Sequence, residues 1–292
     1  MTNKLTFLGI IAVSMMLLSM KSDKPAYRLF DAKGKTTKYK NLLKDAAGAD
    51  IILFGELHNN PIAHWLQVQL TRDIFKEKGE SLVLGAEMFE TDNQLLLDEY
   101  IAALIRETNF ENEAKLWKNY STDYKPLVNF ARENEIPFIA TNIPRRYASI
   151  VNQKGFEGLG ELNKDALNLI APLPIPYDPE LPGYKAMMEM MGGMGKEQGN
   201  ANFPKAQAVK DATMAHFILK NWSPGQVFLH FNGAYHSNNY EGIVWYLKSA
   251  KPGLNIVTIS TVEQDTINGL QDENKGIADY IICIPSDMIK SY

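Results

Sequence analysis

The sequence predicts a doubly wound α/β fold: a mainly parallel sheet flanked by helices, with a small helical insertion subdomain. Two observations lead to this fold class. Short apolar runs alternate with segments of helical spacing, as expected for strands that crossover helices bury on both faces. A stretch rich in proline and methionine then interrupts the alternation. The composition, 45% hydrophobic and 22% charged, is that of an ordinary globular protein.

The first segment, residues 1–22, is predicted to be an export signal rather than part of the fold. Lys4 precedes an apolar run from Leu5 to Met20, which is shorter than the roughly 20 apolar residues that a membrane-spanning helix needs. We therefore expect an exported protein of the periplasm or cell envelope. No cysteine lies directly after the run, so lipid anchoring is not supported, and any membrane association is expected through this segment.

The α/β domain is predicted over residues 28–155 and 204–292. Its strands are expected, in order, in the runs DIILFG, SLVLGAE, IPFIAT, QVFLHF, NIVTIS and DYIICI. Residues 156–203 carry no strand pattern and form the helical insertion, where five methionines fall between Met187 and Met194. Because methionine is flexible, this cluster indicates either the lining of an apolar pocket or a loosely packed segment.

Composition and motifs exclude several functions. A net charge of -4 without a basic patch argues against nucleic acid as a partner. Cys283 is the only cysteine, so neither an internal disulfide nor a thiolate metal cluster is expected. The chain also lacks the Gly-x-Ser-x-Gly elbow of serine hydrolases and the His-Glu-x-x-His motif of helix-based zinc proteases.

Polar side chains follow four of the predicted strands at the point where each strand ends. The carboxyl ends of parallel strands meet at one rim of the sheet, and open α/β sheets bind ligands there. We therefore expect the side chains at these ends to form one site. The candidates are Glu56, His58, Glu87, Arg145, Arg146, Tyr147, Tyr235 and His236.

The segments GELH and GAYH share the pattern Gly-x-x-His at the ends of the first and fourth predicted strands. Two imidazoles with Glu56 or Glu87 offer the nitrogen and oxygen ligands of a divalent transition metal ion. Glu56 has an alternative role as a cap of the helix that follows it. The arginine pair opens a predicted helix, where positive charge opposes the helix dipole, so a bound anion or a partner carboxylate is expected there.

Five segments together resemble the ChaN-type haem-binding proteins of the Tiki-like superfamily: ILFGELHNNPIAH, GAEMF, TNIPRRYA, KDATMAHFI and FNGAYHSNNYEGIVWYL. The resemblance implies an α/β fold with a small helical subdomain, export, and a role in haem or iron uptake. It also implies haem as cofactor, a tyrosine as iron ligand and a homodimer that encloses the porphyrins. Tyr147 and Tyr235 are the candidate tyrosines, because each adjoins a matching segment.

Two functional hypotheses follow. In the first, the chain is an exported haem-binding protein that holds haem at the carboxyl rim of the sheet, with an apolar slot, an axial ligand and cations for the propionates. Its cofactor-binding residues are His58, Arg145, Arg146, Tyr147, Tyr235 and His236. In the second, the chain is a metal-dependent hydrolase. Glu56, His58 and His236 then hold a divalent ion, and Glu56 or Glu87 is the general base.

Overall fold

A computed structural model describes residues 24–192 and 202–292. The predicted export signal and Met194 lie outside these ranges. In the described chain, one seven-stranded sheet has the order β1-β7-β6-β2-β5-β3-β4, in which only β1 runs antiparallel to its neighbour. The strands are β1 (Arg28–Asp31), β2 (Ile51–Glu56), β3 (Leu82–Glu90), β4 (Phe138–Asn142), β5 (Val227–Gly233), β6 (Ile256–Gln264) and β7 (Tyr280–Pro285).

The predicted α/β class is confirmed, and the six predicted strands correspond to β2 through β7. Strand β1 was not predicted from the sequence. It is only four residues long, and of these only Leu29 and Phe30 are buried. An antiparallel edge strand of this length lacks the continuous apolar run by which the buried parallel strands are recognised.

Helices cover both faces of the sheet. They are α1 (Tyr39–Ala47), α2 (Pro61–Lys78), α3 (Gln94–Ile101), α4 (Glu107–Glu113), α5 (Lys125–Glu133), α6 (Arg145–Lys154), α7 (Lys164–Leu167), α8 (Pro182–Gly192), α9 (Phe203–Lys220) and α10 (Ile243–Ala250). A π-helical turn, Tyr120–Tyr124, precedes α5. Over residues 24–192 and 202–292, no helix combines the length and the apolar character needed to cross a bilayer.

Two hydrophobic cores lie on opposite faces of the sheet. Successive strand side chains point to opposite faces, so the alternate residues of β2 divide between the cores. Ile52 and Phe54 pack in the first core with Leu70 of α2. Ile51 and Leu53 pack in the second core with residues of α9 and α10. This arrangement explains why β2 is apolar from Ile51 to Phe54.

The described part of the predicted insertion, 156–192 with 202–203, contains helices α7 and α8 and no strand. Leu159 and Ile170 are buried in the second core, so this part packs directly on the sheet's helical layer. On α8, Tyr184 and Met187 form a small buried cluster with Ala208 of α9.

The β2–α2 connection carries its own helix cap. The side-chain oxygen of Asn60 accepts hydrogen bonds from the backbone N–H groups of Ile62 and Ala63, which satisfies two of the unpaired donors at the helix start. The alternative in which Glu56 caps this helix is therefore wrong. Its carboxylate is directed elsewhere, into the site described next.

Candidate functional site

Glu56, the last residue of β2, is a buried acceptor shared by several donors. Its Oε1 accepts from Tyr124 Oη at 2.7 Å and lies 2.8 Å from Nδ1 of His58. Its Oε2 accepts from the side-chain amide of Gln67 on α2. The residue is 1% exposed, and these donors supply the compensation that a buried charge requires.

His58 lies where this buried network meets the surface, with 36% of its side chain exposed. Burial alone would lower the pKa of the imidazole, but the hydrogen bond to Glu56 and the negative charge of Glu87 raise it. The ring meets Trp117 edge-on, with 4.9 Å between centroids. The ring orientation is therefore fixed by a carboxylate on one side and an indole on the other.

The backbone carbonyl of His58 is held as well. It accepts hydrogen bonds from the side-chain amide of Asn119 at 3.0 Å and from Nε2 of His64 at 3.0 Å. Asn119 also donates to Asp123 at 2.7 Å. The turn after β2 is thus tied to the segment that leads into α5.

A second network joins β3, β5 and α9. The imidazole of His236 lies between two carboxylates, with Nδ1 2.5 Å from Asp211 Oδ1 and Nε2 3.2 Å from Glu87 Oε1. The other oxygen of Glu87 accepts from the backbone N–H of Gly233 at 2.7 Å. All three side chains are at least nine-tenths buried.

The two carboxylates determine the charge of this imidazole. Burial would lower the pKa of His236, but the charges of Glu87 and Asp211 and their hydrogen bonds raise it to about 10. Burial would likewise raise the pKa of Glu87, but His236 and His58 hold it far below its ordinary range. The pKa of Asp211 is raised, mainly by burial. At neutral pH His236 is therefore an imidazolium that donates through both of its nitrogens.

The two Gly-x-x-His motifs lie in close contact, and each has its glycine at the point of contact. A β-carbon at Gly55 would lie 2.8 Å from Cα of Ala234, inside the second motif. A β-carbon at Gly233 would lie 2.8 Å from Nε2 of His58, inside the first. Backbone atoms cannot move away from such a contact, so the close approach of the second motif requires a glycine at position 55. At position 233 a β-carbon would instead displace the ring of His58.

The metal ligands predicted from the sequence, Glu56, His58 and His236, all contact other side chains of the site. Across the described residues, no group of three His, Cys, Asp or Glu side chains is arranged to hold a metal ion. Glu56 is occupied by its three donors, and both nitrogens of His236 are engaged by Glu87 and Asp211. The ligand set on which the metal-dependent hydrolase hypothesis rests is therefore not assembled in this arrangement.

A cavity of about 650 Å³ opens beside His58 at the carboxyl rim, and we call it the rim cavity. Trp117, whose ring contacts His58, forms part of its wall. The wall combines an apolar surface with four cations and one carboxylate. Its lining residues are Glu90, Lys115, Leu116, Trp117, Lys118, Asn119, Arg145, Arg146 and Tyr292.

Two of the four cations are already paired. Arg146 and Lys115 both contact Asp92 Oδ2, at 2.5 and 2.7 Å, so one carboxylate serves two positive charges. Arg145 and Lys118 are exposed and make no ion pair with any described residue. The partner carboxylate expected for the arginine pair is therefore Asp92, and it pairs with Arg146. Arg145 lines the cavity and has no ion-pair partner among the described residues.

The two candidate tyrosines are in different places. Tyr147 is partly buried; its Oη accepts a hydrogen bond from Arg146 at 3.2 Å, and the guanidinium carbon lies 4.4 Å from its ring centroid. Tyr235 donates to the carbonyl of Gly183 at 2.7 Å. Burial, with the charges of Asp211 and Glu241, raises the pKa of Tyr235 to about 12. Of the two, only Tyr147 thus adjoins a residue of the rim cavity.

Several residues of the site were not predicted from the sequence. Asp211 lies in the segment KDATMAHFI, which resembles the family pattern, so that resemblance was an available signal. The others had no motif to mark them, because they come from the segment before α5 and from the end of the described chain. They are Trp117, Lys118, Asn119, Asp123, Tyr124 and Tyr292.

The family model described as haem-binding uptake, Tiki superfamily, ChaN matches residues 42–247, which include both Gly-x-x-His motifs and the triad of Glu87, His236 and Asp211. No curated protein sequence matches the chain.

Among solved structures, ChaN of Campylobacter jejuni, described as showing cofacial haem binding, is similar with a TM-score of 0.66 at 19% identity. The similarity covers 88% of this chain and 96% of that one, and it shows the fold. The erythromycin esterase EreC is more distant, with a TM-score of 0.47 at 11% identity over 82% of this chain and 77% of that one. An effector domain of a Vibrio vulnificus toxin gives 0.42 at 15% identity over 85% and 42%.

Proposed function

The chain belongs to the ChaN family of haem-binding uptake proteins in the Tiki superfamily, and from this premise we propose that it binds haem in the rim cavity. The observation that carries the proposal is the cavity itself, about 650 Å³ at the carboxyl end of the sheet, with Trp117 in its wall. This volume lies within the roughly 300–1,000 Å³ of small-molecule sites. Haem requires such an apolar surface together with cations for its propionates.

The unpaired cations Arg145 and Lys118 are the proposed propionate partners. Arg146 and Lys115 already share Asp92, so their charge is partly compensated before any ligand arrives. A carboxylate that enters the cavity therefore gains most from the two cations that have no ion-pair partner among the described residues. A guanidinium also binds carboxylate through two parallel hydrogen bonds, which favours Arg145 as the principal contact.

Tyr147 is the proposed axial ligand. Its oxygen accepts a hydrogen bond from Arg146 rather than being committed as a donor to a backbone carbonyl, and Arg146 lines the cavity. Tyr235, in contrast, donates to Gly183, and its raised pKa opposes the phenolate form that binds iron. We do not assign His236 to the haem, because both of its nitrogens are held by buried carboxylates. His58 supports the Trp117 wall through its ring contact.

The cofacial binding described for the Campylobacter jejuni structure leads us to propose a homodimer in which two haems face each other. Lys118, Arg145 and Tyr292 in the cavity wall are exposed, so the cavity is open to solvent. A second copy of the chain would cover it. Export of the protein to the cell envelope is proposed from the segment 1–22, and haem or iron uptake is the corresponding role.

The test is a haem titration of purified protein followed by absorption spectroscopy. We expect a shifted Soret band that saturates at one haem per chain, and a doubling of the mass in light scattering when haem is added. The Arg145→Ala variant should bind haem more weakly with an unchanged circular dichroism spectrum. A spectrum identical to that of free haem at all ratios would refute the proposal.

A further inference from the structure

We propose that Tyr292 contacts the bound ligand directly and that the hydrogen bond from Ser291 to Asp123 positions it. The segment Lys290–Tyr292, which we call the strap, thereby becomes a wall of the rim cavity that controls ligand release. This inference rests on the proposed function, since the ligand in question is the haem of that cavity. It assigns a role to a segment that lies outside residues 42–247, the part matched by the family model.

The strap is attached at two successive residues. The backbone N–H of Ser291 donates to the carbonyl of Asn59 at 2.9 Å, and its hydroxyl donates to Oδ2 of Asp123 at 2.8 Å. Lys290 pairs with Glu263, which also accepts from the side chain of Asn60. These contacts hold the strap against the turn that follows β2, beside the candidate site.

Tyr292 lies at the cavity because of this attachment. Its side chain lines the rim cavity together with Trp117 and Asn119, and the residue is 63% exposed. Burial and the charges of Glu56 and Asp123 raise the pKa of the phenol. A neutral aromatic ring that borders an open cavity offers a planar ligand a contact surface without adding charge.

The strap is also connected to His58. Asp123 accepts from Ser291 and from Asn119, and Asn119 donates to the carbonyl of His58. The carboxylate of Asp123 is buried, so each of these bonds satisfies an acceptor that water reaches poorly. Loss of the Ser291 bond therefore loosens the strap at the cavity while Asn119 still holds the turn.

The experiment measures the rate at which haem leaves the loaded protein for an excess of a haem-scavenging protein. Tyr292→Ala is expected to raise this rate about tenfold, the change that corresponds to loss of one aromatic contact. Ser291→Ala is expected to raise it several-fold, because the ring remains but its attachment is weakened. Tyr292→Phe should leave the rate within about twofold, since the contact is made by the ring.

Ile289→Ala is the matched control, because Ile289 is 83% exposed, precedes the strap and does not line the cavity. All variants are compared by thermal unfolding, so that a change in release is separated from a change in fold. If Tyr292→Ala releases haem at the rate of Ile289→Ala, the inference is overturned while the proposed function stands. If the wild-type chain binds no haem, both are overturned.

Discussion

Gly233 and His58 are in contact across the two Gly-x-x-His motifs: a β-carbon on the glycine would come within 2.8 Å of Nε2 and 3.0 Å of Cε1 of the imidazole. Gly55 makes the reciprocal space for Ala234. The repeated pattern is thus explained by two strand ends that pass each other closely. Each histidine then reaches a carboxylate, Glu56 in one case and the pair Glu87 and Asp211 in the other.

The first prediction concerns Gly55→Ala. The new methyl group would meet backbone atoms on two sides, Cα of Ala234 at 2.8 Å and the carbonyl oxygen of Ile259 at 2.9 Å. Backbone atoms cannot rotate away, so we expect the free energy of unfolding to fall by about 1–3 kcal/mol, as for an overpacked core. Denaturant unfolding measures it. Gly269→Ala is the control, because a β-carbon at Gly269 would have no atom within 4 Å. Equal losses in both variants would contradict the explanation.

The second prediction separates the two candidate iron ligands. Tyr147→Phe should remove the charge-transfer absorption of a tyrosinate–iron bond and weaken haem binding by at least about tenfold, or about 1.4 kcal/mol. Tyr235→Phe should leave the spectrum unchanged, because that phenol donates to Gly183. Absorption spectra of the two ferric complexes make the comparison. If only Tyr235→Phe loses the charge-transfer band, the iron ligand is Tyr235 and not Tyr147.

The third prediction concerns the unpaired cations. Arg145→Ala and Lys118→Ala are each expected to weaken haem binding by about twofold to fivefold, the range of an exposed ion pair. The effect should shrink as salt is raised, because salt screens exposed charges. Lys154→Ala, on the same helix as Arg145, is the control, since Lys154 pairs with Glu161 and does not line the cavity. Equal affinities for all three variants at low salt would argue against propionate pairing.

The fourth prediction is a dependence of stability on pH. The pKa of His236 is raised from 6.5 to about 10 on folding, so the folded state holds this proton more tightly than the unfolded state. Its contribution to stability is complete below pH 6.5 and is lost as the pH rises through about 10. We expect the free energy of unfolding to decrease over this interval, with a slope of up to about 1.4 kcal/mol per pH unit for one proton.

Denaturant unfolding at several pH values measures this slope. His236→Asn should abolish most of it; the remainder has the same sign and comes from His58, whose pKa is also raised. His216→Asn is the control, because burial lowers the pKa of His216 and it releases no proton in this interval. If the variant is too unstable to study, NMR titration of His236 in the wild-type chain gives the same information. An unshifted pKa for His236 in that titration would contradict the prediction.

The residues at the carboxyl rim of the sheet were predicted from the sequence, whereas most of those that line the rim cavity were not. Glu56, His58, Glu87 and His236 follow apolar runs whose strand character is unambiguous, so their meeting at one edge follows from parallel topology alone. Across the described residues these side chains are not arranged as a metal site, and Glu56 accepts a hydrogen bond from Tyr124 instead. Such donors come from distant segments, and no spacing rule brings them to a strand end.

The cavity wall was missed for a related reason. Trp117 and Lys118 lie in an irregular segment between α4 and α5, where neither helical nor strand periodicity marks a side chain as inward-facing. Tyr292 reaches the cavity only through the attachment of Ser291 to Asp123, a contact between residues far apart in the chain. The pairing of Arg146 rather than Arg145 with Asp92 likewise depends on side-chain positions that a sequence does not contain.

Strand β3 contains one irregularity, a shift in its pairing with β4 between Ala86 and Glu90. Glu87 joins the buried imidazolium of His236, whereas Glu90 lines the rim cavity. The backbone of this one strand thus sets the distance between the buried charges of Glu87 and His236 and the rim cavity, which is open to solvent. Inserting or deleting one residue between Glu87 and Glu90 would change this spacing and turn one of the two carboxylates to the opposite face of the sheet, because successive residues of a strand point to opposite faces.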